Sequence, residues 1–323
     1  MREIEVSAPG KLMLFGEHAV VYDRPCLVTA VNKRISATVS LEPGDQIRIE
    51  APDVTVHDYV IKIENLGENQ QTPPGVKFVE FSLMNFFKKY AIKSGVNIST
   101  KSDFSSKFGF GSSSAVTVAL LKALTVLFEI KAENKDLFDL AYKTVLDVQG
   151  VGSGFDLAAG IWGGTLYFVG GGKEITPVDT KKWPLVVGYT GIKADTATLV
   201  KKVAKLYQNH RVVIDNVFDS MKIIANQAKK EATTGDFAKL GELMNINQGL
   251  LDSIGVSTKE LNNLTIEARS SGAWGAKLSG AGGGDCMIAL VSDEKRMSVE
   301  KAITSAGGQV LDVEANAPGV RLE

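Results

Sequence analysis

The sequence predicts an α+β protein. Strand-like stretches, alternating or rich in β-branched residues, concentrate in the first half, and helical apolar spacing dominates from about residue 196 to 271. The two do not alternate as a doubly wound parallel sheet requires. The length of 323 residues suits two domains, and a charged, glycine-rich stretch near residues 175–183 divides the chain into expected units of 1–180 and 181–323.

The elements follow in order. REIEVSA, residues 2–8, alternates and reads as a strand, and APGK then reads as a turn before LMLFGEHAVVY. Residues 26–41 are rich in β-branched side chains and read as one long strand or a hairpin, with QIRIEA as another strand. Asn, Gly and Pro make residues 65–75 a loop. From Val76 the apolar spacing is helical, and GVNISTKSD returns to strand. Residues 112–128 and 133–149 read as helices, since apolar residues recur at three and four without interior Gly or Pro in the first of them. GGTLYFVGG and PLVVGYTG read as strands, AKLSGAGGGDCMIALV as strand, glycine loop and strand, SVEKAITSAG as a helix and QVLDVEA as a strand.

Composition narrows the function classes. A net charge of −1 supplies no basic field for nucleic acid or an anionic membrane. No apolar run reaches the ~18–20 residues of a membrane span, and the charged opening MREIE does not resemble a signal peptide, so a cytoplasmic protein is expected. His18, His57 and His210 are scattered without metal-ligand spacing. Cys26 and Cys286 lie in apolar surroundings, and buried free thiols are expected in preference to a disulfide.

Four constellations carry chemistry. In KFGFGSSSAV, residues 107–116, glycines and serines immediately precede a long helix. A helix N-terminus exposes unpaired N–H groups and partial positive charge, and glycines let backbone curl around an anion. The pattern is not a Walker loop, and a serine-capped flexible turn is the plainer alternative. SGAGGGDC, residues 279–286, sets four glycines within six positions between apolar strands, which suggests close backbone approach. In SAPGKLMLFGEHAVVY, residues 7–22, Lys11, Glu17 and His18 stand among apolar residues and need partners or solvent. In VQGVGSGFDLAAG, Asp156 follows a Gly-Ser turn and, read alone, is a helix cap.

Taken in order along nearly the full chain, APGKLMLFGEHAVVY, FGFGSSSAVTVA and KLSGAGGGDCMIAL resemble the three signature motifs of the GHMP kinases. The resemblance implies an N-terminal domain like domain 2 of ribosomal protein S5 and a ferredoxin-like C-terminal domain. It implies ATP as phosphoryl donor, with Gly109, Gly111, Ser112, Ser113 and Ser114 around its phosphates, Ser113 as a Mg2+ ligand, and Gly280, Ala281, Gly282, Gly283 and Gly284 packed beside them. Lys11 and Asp156 match the family's catalytic pair. Asp156 would accept or orient the proton of the reacting hydroxyl, and Lys11 would keep it ionised and stabilise developing charge.

The resemblance also bears on the acceptor, a small molecule. GEHAVVY and LMNINQGLLDSIGVS are similar to archaeal-type mevalonate kinases and imply Glu17, His18, Ser153, Thr190 and Lys193 as substrate residues. QGVGSGFDLAAG and Asp285 in GGGDC resemble phosphomevalonate kinases, for which Lys101, Lys107 and Lys193 could meet a substrate phosphate. Phosphorylation of mevalonate is the first expectation and of 5-phosphomevalonate the alternative; a non-catalytic sensor of the same fold is disfavoured because Lys11 and Asp156 are both present. Val145 occupies the position where many mevalonate kinases carry a Mg2+-binding Glu. Homodimers are common in the family, so one is possible here.

Overall fold

The computed structural model describes residues 2–68, 72–180 and 182–323. In the first half, β1 (Glu3–Phe15), β2 (Pro25–Glu42), β3 (Gln46–Ala51), β4 (Val56–Lys62), β5 (Gly95–Ser102), β6 (Thr165–Val169) and β7 (Glu174–Pro177) form one sheet. Its neighbours run antiparallel except β3 and β5. The helices α1 (Lys77–Tyr90), α2 (Ser112–Leu127), α3 (Asn134–Gln149) and α4 (Phe155–Trp162) share a core with it, which includes Val28 and Val39 of β2 and Leu120 and Leu124 of α2.

The second half contains β8 (Leu185–Tyr189), the helices α5 (Thr196–Asn209), α6 (Arg211–Thr234), α7 (Phe237–Ser253) and α8 (Lys259–Ser270), then β9 (Gly275–Ser279), β10 (Cys286–Leu290), α9 (Asp293–Ser305) and β11 (Gln309–Leu311). Its strands make a separate antiparallel sheet in the order β11-β8-β10-β9. β8, β9 and β10 are apolar and buried along their length, except for Lys277 and Ser279 in the fully buried β9, while β11 is partly exposed.

A shared core joins the halves: Leu12, Leu14 and Phe15 of β1 pack with Leu185 and Val187 of β8, Ile288 of β10 and Met244 of α7. The Ser279 hydroxyl donates to Met13 O (2.9 Å) and accepts from Met13 N (3.0 Å), so β1 is also tied to β9 by hydrogen bonds. The chain end returns as β12 (Arg321–Leu322) beside β1. Arg34 of β2 clamps that return, its guanidinium donating to Ser7 Oγ, Ser7 O, Pro318 O and Gly319 O at 2.6–2.9 Å.

Several elements differ from the sequence reading. APGK is not a turn: β1 runs through it, and the ladder to β2 shifts register between Pro9 and Lys11. Pro9 thus sits at an irregularity, where a missing N–H donor is tolerated. Residues 26–41 form a single long strand within β2, not a hairpin. Of the loop expected over 65–75, residues 69–71 lie outside the described residues, and Pro74–Val76 is a 3-10 turn. The stretch expected as a linker begins within β7, and Lys181 lies outside the described residues. The cysteines are free and buried, as expected. No helix among the described residues is long and apolar enough to cross a membrane.

Candidate active site

A cavity of about 920 Å3 opens where β1, the loop before α2, the loop before α4, the glycine loop 280–285 and the start of α5 converge. The loop before α2 gains its shape from two left-handed glycines, Gly109 (φ 70°) and Gly111 (φ 76°). Gly111 is the residue preceding the helix, so Ser112, Ser113 and Ser114 form its first turn and line the cavity. Their unpaired amides and the helix dipole make a cradle for an anion. A side chain at Gly111 would stand 3.3 Å from Lys11 Cε and 3.6 Å from Asp156 Cβ, which places both polar residues against that turn.

Lys11 enters from β1. Its backbone N–H donates to Phe110 O at 2.9 Å, so strand and loop are in register. Its Nζ donates to Gly109 O at 2.7 Å and lies 5.6 Å from the centre of the Phe155 ring. Burial lowers the Lys11 pKa; Asp156, then Asp285, oppose that shift by charge. Asp156 sits in the first turn of α4, where Leu157 N donates to Oδ1 (3.1 Å) and the Ser114 hydroxyl to Oδ2 (2.5 Å). Lys11 and Asp156 therefore face one cavity without a direct ion pair; each is oriented by another group.

His18 lines the cavity in a left-handed conformation (φ 59°), with Nε2 2.9 Å from Ala281 O. A carbonyl only accepts, so Nε2 carries the proton, and Nδ1 of the neutral ring is left as an acceptor. Burial lowers the His18 pKa, which favours that neutral ring. Ser153 and Lys193 line the cavity. Tyr142, donating to Gly152 O at 2.9 Å, and Gly171, whose N–H donates to Ser153 O at 2.9 Å, hold the loop that carries Ser153.

Other expected site residues stand behind the wall. Glu17 is fully buried and forms an ion pair with the equally buried Lys277, while Asn247 Nδ2 donates to its Oε2 at 3.2 Å. It is thus a structural partner between the halves and does not reach the cavity. Thr190 lies beneath it, its hydroxyl donating to Asp285 O at 3.0 Å. Gly280 and Ala281 line the cavity, but Gly282 and Gly283 do not. An ideal Cβ at Gly283 would lie 2.6 Å from Leu199 of α5, and Gly283 N donates to Val256 O at 2.8 Å. These glycines serve protein packing.

Asp285, read in the sequence only as a marker of one family branch, lines the cavity. Sequence reasoning also passed over Val20, Gln149, Thr196 and Lys201 on the wall, and Lys277 behind it. Lys277 had a signal: like Lys11, it is a lysine inside an apolar strand. The others lie on exposed or ordinary helical patterns that carry none. Lys101 and Lys107 are exposed and off the wall.

The oxygen donors bear on a magnesium ion. Among the described residues no group of three or more His, Cys, Asp or Glu could hold a metal, and Val145 lines the cavity with an apolar side chain. Mg2+ at nucleotide sites keeps waters and takes one or two protein oxygens besides phosphates. Ser113, on the wall in the first turn of α2, fits that sparse mode as a single protein ligand.

Comparison with known proteins places the chain in a family. The description "GHMP kinases N terminal domain" matches residues 77–164, and "GHMP kinases C terminal" matches 228–309. A mevalonate kinase of Thermococcus sibiricus is 37% identical, with 98% of this chain and 97% of that protein covered. A mevalonate kinase of Pyrococcus abyssi is 36% identical, over 100% of this chain and 98% of that protein. Among solved structures, the Methanococcus jannaschii mevalonate kinase superposes with a TM-score of 0.83 at 23% identity, covering 97% of this chain and 98% of that one.

Proposed function

Because the chain belongs to the GHMP kinase family, we propose that it transfers the γ-phosphoryl group of ATP to the primary hydroxyl of mevalonate, giving 5-phosphomevalonate. The observation that carries the reading is the convergence of Lys11 and Asp156 on the first turn of α2 in one cavity. Full-length likeness to proteins named mevalonate kinase supports the choice of acceptor.

Catalysis of this kind is mostly positioning and charge stabilisation, since the transferring phosphoryl passes through a loose transition state. The amides of the α2 first turn and the loop from Gly109 bind the nucleotide phosphates. Asp156, its Oδ2 held by Ser114, takes or orients the proton of the acceptor hydroxyl. Lys11, held by Gly109 O, places an ammonium beside charge that develops on the reacting oxygens. Neutral His18 accepts a hydrogen bond from an acceptor hydroxyl through Nδ1, and Lys193 meets the acceptor's anionic end. Mg2+, held by Ser113 and the phosphates, would supply further charge neutralisation.

A phosphorylated acceptor would call for more cationic wall than this. Of the three lysines considered for that role only Lys193 lines the cavity, with Asp285 beside it; Lys201 is a further lysine on the wall. The test is ATP-dependent ADP release with mevalonate and with 5-phosphomevalonate in parallel. Turnover of mevalonate is expected. Turnover of 5-phosphomevalonate alone would replace the acceptor, and release with neither would leave a ligand-binding protein.

A further inference from the structure

The start of α5 and the residues just before it form one wall of the cavity through Lys193, Ala194, Thr196 and Val200. Val203 is its one buried side chain, and residues 191–193 and 195–198 are exposed. The body of α5 packs through Leu199, Leu206 and Tyr207, and Lys202 Nζ donates to Gly255 O at 2.6 Å, whereas the residues just ahead of the helix are anchored by the end of the glycine loop. Asp285 N donates to Ile192 O at 2.7 Å, and Ala194 N donates to Asp285 Oδ1 at 2.9 Å, so one residue grips the segment from both sides. Thr190 reinforces the grip: its N–H and hydroxyl both donate to Asp285 O at 3.0 Å, and the hydroxyl accepts from Ile192 N at 3.2 Å.

The geometry around the grip is specific. An ideal Cβ on Gly284 would come within 2.6 Å of Ile192 O, so the loop touches the segment backbone to backbone. Asp285 itself adopts a left-handed conformation (φ 56°), where glycine would be less strained. Held strain of this kind is a pointer to function when the surroundings over-determine it. The other carboxylate oxygen, Oδ2, lies against Gly109, where a Cβ would approach it to 2.5 Å. Gly109 is the residue whose carbonyl receives the Lys11 ammonium. One carboxylate thus touches the α5 wall on one side and the loop that orients Lys11 on the other.

We propose that Asp285 is a positioning residue that clasps the start of α5 to the glycine loop, holding the wall that carries Lys193 closed over the acceptor. The claim about the clasp stands on the protein alone; the claim about the acceptor rests on the mevalonate kinase reading.

Amide hydrogen exchange on the full chain without ligand tests the clasp. Asp285→Ala removes the acceptor of Ala194 N, and exchange across residues 192–199 is expected to rise about tenfold or more while α7 and α8 keep their protection. Asp285→Asn keeps an oxygen acceptor and should stay within about threefold of wild type. Wild-type exchange in Asp285→Ala, or equal loss in both variants, would overturn the clasp. Should Asp285→Ala fail to fold, Thr190→Val removes the reinforcing hydroxyl and must raise exchange at 192–195; no change there refutes the proposal. In turnover, Asp285→Ala should raise KM for mevalonate more than it lowers kcat, with Asp285→Asn restoring much of the loss. The reverse split would refute a positioning role. If wild type does not use mevalonate, the exchange experiment still decides the clasp and only the acceptor reading fails.

Discussion

The buried Glu17–Lys277 pair allows a quantitative test of what Glu17 does. Both side chains are fully buried, and burial lowers the Lys277 pKa against the opposing charge of Glu17. Removing either partner strands the other, and breaking a buried pair in this way costs about 3–5 kcal/mol. At about 2–4 °C per kcal/mol for large chains, Glu17→Leu or Lys277→Met should each lower the melting temperature by about 6–20 °C. Replacing both removes the stranded charge, and such exchanges are often neutral or stabilising. Here the double variant leaves Asn247 Nδ2 and Leu278 O each without a partner they now have, at about 1–3 kcal/mol per group. Glu17→Leu/Lys277→Met should therefore melt above either single variant but below wild type. Calorimetry on the four proteins gives the coupling, and mevalonate KM is measured alongside. Small, additive effects would refute the argument from buried charge. A double variant that recovers stability yet keeps a large KM defect would return Glu17 to the substrate site.

Three further outcomes are expected. Asp156→Ala should lower turnover by at least about 10²-fold, the scale of general acid–base catalysis, while calorimetric titration shows ATP affinity within a few-fold of wild type; retained turnover would remove Asp156 from the reaction. The Lys11 pKa is lowered by burial, so the ammonium loses its proton as pH rises through a value below the ordinary ~10.4. The alkaline limb of kcat/KM should accordingly fall below that value and vanish from the accessible range in Lys11→Arg; a limb unchanged in Lys11→Arg would assign it to another group. Arg34→Ala leaves Ser7 O, Pro318 O and Gly319 O without their guanidinium donor, and urea unfolding should report a loss of about 2–4 kcal/mol, with faster proteolysis of the C-terminal return.

The proposed phosphate cradle was legible because its causes are local. Gly109 and Gly111 provide left-handed backbone, the serines follow directly, and the apolar spacing of α2 lies within the next few turns. The α+β class was legible for the same reason, through runs of period-two and helical spacing. β4 escaped notice because VHDYVIK buries few of its residues, and α4 was signalled only by the cap reading of Asp156 because FDLAAGIW is a short helix between glycines, so neither has a strong period. The Pro-Gly of APGK misled because a proline reads as punctuation until a ladder irregularity is seen to absorb it.

The sequence by itself determined which residues needed an explanation: Lys11, Glu17 and His18 in apolar surroundings, Asp156 after a glycine turn, and a glycine run before Asp285. It could not say on which side of a wall each would fall. That depended on partners far along the chain, and only the tertiary structure brought them together. Lys277, 260 residues from Glu17, turned that carboxylate inward. Gly109 and Ser114, not each other, became the partners of Lys11 and Asp156. Leu199 and Ile192, arriving with α5, claimed the close approach that Gly283 and Gly284 permit. A buried polar group takes whichever partner packing delivers, because leaving it unpaired costs more than any local preference can offset.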